Sequence, residues 1–181
     1  GKRLLVTGVT GFLGKVWLVM LLDRFEVERV HVVVRSQRGT SARERFLRVV
    51  DTSPAFRPLR EKHGERLDAF LDERVTVIDG DAARPLLGMS EADAKKLAKN
   101  VDVVVHFAGV TDFEPDPRLA LATNVLGAEH AADVAALTPS GALVHVSTTF
   151  VAGNTSGEIA EEVPVLAPNG KAFDATEERA Q

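Results

Sequence analysis

The chain has 181 residues, 45% hydrophobic and 27% charged, with a mean hydropathy of zero and a net charge of −4. These values describe an ordinary globular domain and exclude a chain-wide basic footprint for nucleic acid. The absence of cysteine excludes a disulfide framework, a cysteine nucleophile and a Cys-based metal site, and fits a reducing, cytoplasmic compartment.

In chain order, residues 2–7 read as a short buried strand, residues 8–14 as a glycine-rich turn, and residues 12–24 as a buried helix, apolar nearly all round. The strongly apolar part of that helix, residues 12–22, is shorter than the roughly 20 residues that cross a bilayer, so no transmembrane segment is expected. A strand precedes it, so it is not read as a cleavable signal. A second strand covers residues 29–34. Residues 41–50 form an amphipathic helix with Ser41 as N-cap and Glu44 as its capping-box partner. Pro54 and Pro58 interrupt before a helix over 59–71. A third strand at 75–78 leads to a helix over 90–98, capped by Ser90 with Asp93 in its first turn. A fourth strand at 101–107, a long helix at 117–137 and a fifth strand at 142–147 complete the pattern. The strands are continuous apolar runs, as strands buried on both faces of a parallel sheet are. Strands alternating with helices predict an α/β, Rossmann-type doubly wound parallel sheet. The pattern fades after Gly153, so residues 1–153 are read as the domain and residues 154–181 as an acidic, loop-like tail.

The strongest motif is Thr7-Gly8-Val9-Thr10-Gly11-Phe12-Leu13-Gly14, set between a strand and a helix. Gly8 permits the tight turn, Gly11 lets backbone approach a pyrophosphate, and Gly14 lets the helix pack close to the sheet. The helix N-terminus then offers free N–H groups and a positive dipole end. Thr7, Thr10, Phe12 and Leu13 join the three glycines as candidate cofactor-binding residues. Strand two ends in Val34-Arg35-Ser36, where an NAD site usually carries a carboxylate for the ribose 2′-OH. A guanidinium there can clamp a 2′-phosphate, which favours NADP (NADPH), with Arg38 assisting. Asp81 and Ala82 follow strand three; the carboxylate can accept from an adenine amino group, or simply make an Asx turn. After strand four, Ala108, Gly109 and Val110 let the chain pass close under a cofactor. Asn124 sits unfavourably inside the long helix, which points to a specific hydrogen bond to the neighbouring strand. Ser147, Thr148 and Thr149, at the carboxyl end of strand five, stand where a substrate carbonyl would lie.

Residues 35–66 carry nine basic side chains against four acidic ones. Such a run reads as a solvated helix face or as an anion-facing patch beside the nucleotide. His106 is read as a satisfied structural histidine, as are His31, His63, His130 and His145, and no metal site is expected.

These elements together resemble the extended short-chain dehydrogenases/reductases. The stretches TGVTGFLGKVWLVMLL, VVVRS, SARERFLRVVDTSPAFRPLRE, VIDGD, LGMSEADAKKL, VDVVVHFAG, NVLGA and VHVSTTFVAG resemble, more narrowly, the N-terminal half of a fatty acyl-CoA reductase. The arginine-bearing insert at 41–66 is the most specific part, because simple epimerases lack it. The resemblance implies NADPH-dependent reduction of a fatty acyl thioester to an aldehyde or alcohol. It aligns Thr148 with the family's active-site hydroxyl and Asn124 with its supporting asparagine. The family's Tyr-x-x-x-Lys pair is missing: the chain has no tyrosine, and Lys171 is the only lysine after Thr148. The expectation is that the pair and the substrate-binding part lie beyond Gln181, and that these 181 residues alone are inactive. The alternatives are a reductase of carrier-protein thioesters and a non-catalytic NADP-binding sensor or scaffold.

Overall fold

The computed structural model describes residues 1–148 and 157–160. Gly1–Val146 form one compact unit and Ser147–Gln181 a second. Thr149, the expected boundary after Gly153 and Lys171 lie outside the described residues.

The first unit is built on strands β1 (Arg3–Thr7), β2 (Arg29–Val34), β3 (Val75–Asp79), β4 (Val103–His106) and β5 (Leu143–His145). All pair in parallel, in the order β3-β2-β1-β4-β5. Successive side chains of a strand leave on opposite faces, and both faces are covered. Leu4 and Val6 join Val30, Val32 and Val34 beneath α1 (Phe12–Arg24), α2 (Ala42–Thr52), α3 (Arg57–His63) and α4 (Leu67–Arg74). Leu5 joins Val33 and Val104 on the face covered by α5 (Glu91–Ala98) and by α7 (Leu126–Ala136), which continues the exposed short helix α6 (Pro117–Ala120). The apolar strand runs are therefore dictated by a sheet with helices on both sides, the doubly wound arrangement expected from the sequence.

Three elements differ from expectation. First, α1 is not buried all round. Gly14, Leu18, Val19 and Leu22 are buried, whereas Phe12, Leu13 and Met20 face outward, because a single helix meets the sheet along one stripe. Second, the helix expected over 59–71 is two helices. Gly64, at φ +52°, closes α3, and a 3-10 turn at Gly64–Arg66 precedes α4. Third, the long helix at 117–137 contains a π turn at Leu121–Val125, with Asn124 inside it. The caps form as their sequences require. Glu44 N–H donates to Ser41 Oγ at 3.2 Å while Glu44 Oε2 accepts from Ser41 N–H at 2.8 Å, and Asp93 N–H donates to Ser90 Oγ at 3.1 Å.

His106 ends β4 fully buried. Its Nδ1 lies 2.8 Å from Thr7 Oγ1, which also accepts the Ala108 N–H at 3.3 Å. Its Nε2 has no partner among the described residues, and neither do His31 Nδ1 and His63 Nε2, so these three are not fully satisfied as expected. Burial, helped by the neighbouring His145 ring at 5.3 Å, pushes the His106 pKa down to about 4.

An unfolded histidine titrates near ~6.5. The unfolded chain therefore takes up this proton more readily than the native one. Full stability is expected above about pH 6.5, falling progressively to about pH 4, with about 3 kcal/mol lost from this group. Denaturant titrations at pH 7, 5 and 4 should show this slope, and His106→Asn should flatten it. An identical slope in the variant would assign the effect to other groups.

Candidate cofactor site

Chain order runs outward from β1 to β2 and β3 on one side and from β4 to β5 on the other. A crevice opens where the direction reverses, at the carboxyl ends of β1 and β4. Gly8, at φ +74°, fills the point of closest approach. A Cβ there would lie 2.5 Å from Ala108 N and 2.6 Å from Phe107 C. Gly14 presses on the same turn from the helix side, where a Cβ would collide with Gly8 O. Gly11, the N-cap of α1, is different. Its Cβ would meet only Gly8 O, at 3.2 Å, and would otherwise stand in open space. The first turn of α1 has neither a side-chain cap bond nor an acidic residue. Its N–H groups and positive dipole end are thus left for an anion.

The cleft is walled by Thr7, Gly8, Thr10 and Gly11 after β1, by Arg35 after β2, by Asp81 and Ala82 after β3, and by Ala108, Gly109 and Val110 after β4. These ten predicted residues are brought together. Gly14 supports the wall from behind. Phe12 and Leu13 are 81% and 51% exposed and do not line the cleft. Arg38 does not line it either. With Gly39 it forms the tip of a tight turn, both residues at positive φ, closed by reciprocal Gln37–Thr40 backbone bonds of 3.0 and 2.9 Å. Thr148 belongs to the second unit.

Sequence reasoning missed Arg45. This half-buried side chain of α2 lines the cleft, and its Nη1 donates to the Arg35 carbonyl. The available signal was the basic excess over residues 35–66, which did not single out a residue. Phe107, Leu119 and Thr123 also line the cleft. Asp81 makes the expected Asx turn and adds an ion pair that was not expected. Its Oδ1 accepts from Ala83 N–H at 3.0 Å, an Asx turn, and its Oδ2 faces Arg35 Nη1 at 3.7 Å. Asn124 grips the chain just past β4 with both ends of its amide. Oδ1 accepts from Val110 N–H at 2.7 Å and Nδ2 donates to Val110 O at 3.0 Å. Among the described residues no group of three His, Asp or Glu side chains could hold a metal, and no helix is long and apolar enough to cross a membrane.

A profile of the family described as Male sterility protein matches residues 6–181. Fatty acyl-CoA reductase 8 of Arabidopsis thaliana is 32% identical over 186 aligned positions, covering 98% of this chain and 38% of its own length. The terminal R domain from the myxalamid PKS-NRPS biosynthetic pathway superposes with a TM-score of 0.71 at 27% identity, over 94% of this chain and 41% of that one. The reductase (R) domain of a nonribosomal peptide synthetase from Mycobacterium tuberculosis gives 0.64 at 29% identity, over 84% and 34%. The chain thus spans well under half the length of these proteins.

The glycines make a contrast that can be measured. Gly11→Val places a side chain in the cleft and should abolish dinucleotide binding by calorimetry while leaving the thermal midpoint within a few degrees. Gly14→Ala forces backbone apart and should lower the midpoint substantially. Retained binding by Gly11→Val would mean that no pyrophosphate rests on this loop.

Proposed function

Because the chain belongs to the Male sterility protein family, we propose that it is the NADPH-binding portion of a reductase that converts a fatty acyl thioester, an acyl-CoA, to the aldehyde or alcohol. The observation that carries this reading is the cleft itself: a glycine turn open at Gly11, with Arg35 and Arg45 at one end and an arginine, not an acidic residue, directly after β2. A nicotinamide cofactor bound there supplies a hydride to the carbonyl carbon. In the first reduction, hydride and a proton turn the thioester into aldehyde and free thiol.

The residues divide the remaining work. The turn at Gly8–Gly11 and the start of α1 hold pyrophosphate. Arg35 and Arg45 take the 2′-phosphate. The Arg35–Asp81 pair is long and half-exposed, so it contributes little and leaves the guanidinium free to move to a phosphate. Asp81 accepts from the adenine amino group. Asn124 fixes the backbone at Val110 on the other side of the crevice. Thr148 donates a hydrogen bond to the developing oxyanion. A carrier-protein thioester is the second reading, favoured by the likeness to the two R domains.

NADPH should bind more tightly than NADH by about 1.5–3 kcal/mol, the range for hydrogen bonds to a charged group. Arg35→Ala should erase most of that difference and Arg45→Ala part of it. Equal affinity of the unmutated protein for both cofactors would remove the case for a 2′-phosphate site.

Reduction also needs a proton at the carbonyl oxygen, a step typically worth ~10²–10⁴-fold. The 181 residues contain no tyrosine to supply it. NADPH binding without NADPH oxidation is therefore expected when these residues are assayed with a long-chain acyl-CoA. A longer chain that adds a Tyr-x-x-x-Lys segment should turn over, and Thr148→Ala should slow it. Turnover by the 181 residues alone would show that the proton comes from another group.

A further inference from the structure

The backbone at Asp81–Ala82 lies beyond the end of β3, where no strand ladder holds it. Gly80 is packed so closely that a Cβ would lie 2.5 Å from Leu87 O. Asp81 N–H donates to that same carbonyl at 2.8 Å, and Arg84 N–H donates to Asp81 O at 3.0 Å. Leu86 and Leu87 both adopt left-handed φ, 51° and 58°, and the Leu87 side chain is fully buried. Two consecutive non-glycine residues in this region are strained, and such strain persists only where the surroundings impose it. The peptide after Ala82 is held differently. Its carbonyl lies 3.0 Å from His130 Nδ1, on α7. A carbonyl only accepts, so Nδ1 carries the proton. Gly127, one turn earlier, lets the helix come near: a Cβ there would lie 3.3 Å from the same Ala82 oxygen.

The helical run that carries His130 also carries Asn124, which grips Val110. Val110 and Ala82 line the same cleft from opposite sides of β1, one past β4 and the other past β3. A single helical run therefore fixes backbone at both ends of the crevice. We propose that His130 is a positioning residue for the adenine end, holding the Asp81–Ala82 backbone in register against the base through its Nδ1–H bond to the Ala82 carbonyl. This rests on the nucleotide reading of the cleft. His130 does not line the cleft and touches no ligand; it acts through Ala82.

The test uses two half-ligands and a pair of isosteres on the full chain. The amide nitrogen of asparagine can occupy the place of Nδ1, whereas that of glutamine takes the place of Nε2. His130→Ala should weaken 2′,5′-ADP and NADPH about tenfold, as expected for loss of one hydrogen bond that holds a binding surface. It should leave nicotinamide mononucleotide within about twofold. His130→Asn should restore 2′,5′-ADP to within about threefold of the unmutated protein, and His130→Gln should not. Asn124→Ala should show the reverse preference, weakening the mononucleotide more. Unchanged 2′,5′-ADP affinity in His130→Ala, equal loss for both half-ligands, or rescue by glutamine as good as by asparagine would overturn the proposal. If His130→Ala does not fold, the asparagine and glutamine variants decide the matter. Imidazole ¹⁵N shifts give an independent check: a His130 ring protonated only at Nε2 would also overturn it. Failure of the unmutated protein to bind 2′,5′-ADP would instead refute the nucleotide reading on which the proposal stands.

Discussion

There is no room for a side chain where the turn after β1 passes the end of β4. A Cβ on Gly8 would lie 2.5 Å from one backbone atom of Ala108, and a Cβ on Gly14 would run into the Gly8 carbonyl. One peptide is thus squeezed between the next strand and the first helix. The squeeze sets the depth of the crevice, because it brings the start of α1 down to the level of the strand ends. It also explains why Gly11 is not interchangeable with its neighbours. Gly8 and Gly14 are required by the protein's own packing, whereas Gly11 faces open space.

Beyond the last ladder bond of each strand, side chains take over the work of holding backbone. Thr7 accepts from Ala108 N–H and shares a hydrogen bond with His106, which ties the ends of β1 and β4 together. Asp79 accepts from Ser36 N–H at 2.9 Å, tying the end of β3 to the exit of β2. Asn124 and His130 do the same for the segments past β4 and β3. Directional hydrogen bonds select one arrangement of these loops, and at the buried Thr7–His106 pair the cost of leaving a polar group unpaired adds to that selection. His106 shows the limit of that device. One ring nitrogen is bonded, the other has no partner among the described residues, and burial disfavours the charged ring.

The sheet was legible in the sequence because buried parallel strands are written as unbroken apolar runs, VVV at 32–34 and again at 103–105. The glycine turn was legible because its spacing is a steric requirement. Elements whose form depends on long-range packing were not. The break at Gly64 looks like any glycine in a polar helix until its φ is seen. The π turn around Asn124 leaves no periodic trace, although the asparagine itself signalled a hydrogen bond. Arg45 was hidden by company: with nine basic residues in one segment, charge alone could not say which of them α2 turns toward the cleft. Phe12 and Leu13, drawn in by the motif, are exposed and do not line the cleft.

The electrostatics at the β2–β3 side of the cleft follow from the same geometry. Arg35 stands half-exposed at the mouth of the cleft, with Arg45 bonded to its carbonyl and Asp81 3.7 Å from its guanidinium. Asp79, bonded to the Ser36 N–H, adds a second carboxylate near this edge, so an anion arriving there depends on the two guanidiniums turning toward it. Asp81 cannot follow Arg35 outward, because its other oxygen is committed to the Ala83 N–H and its own N–H to Leu87. The carboxylate is therefore fixed by its backbone bonds, while the half-exposed guanidinium is not. A rigid acceptor beside a movable cation is the arrangement that the proposed nucleotide site requires of this short segment of wall, with the base read by position and the phosphate by charge.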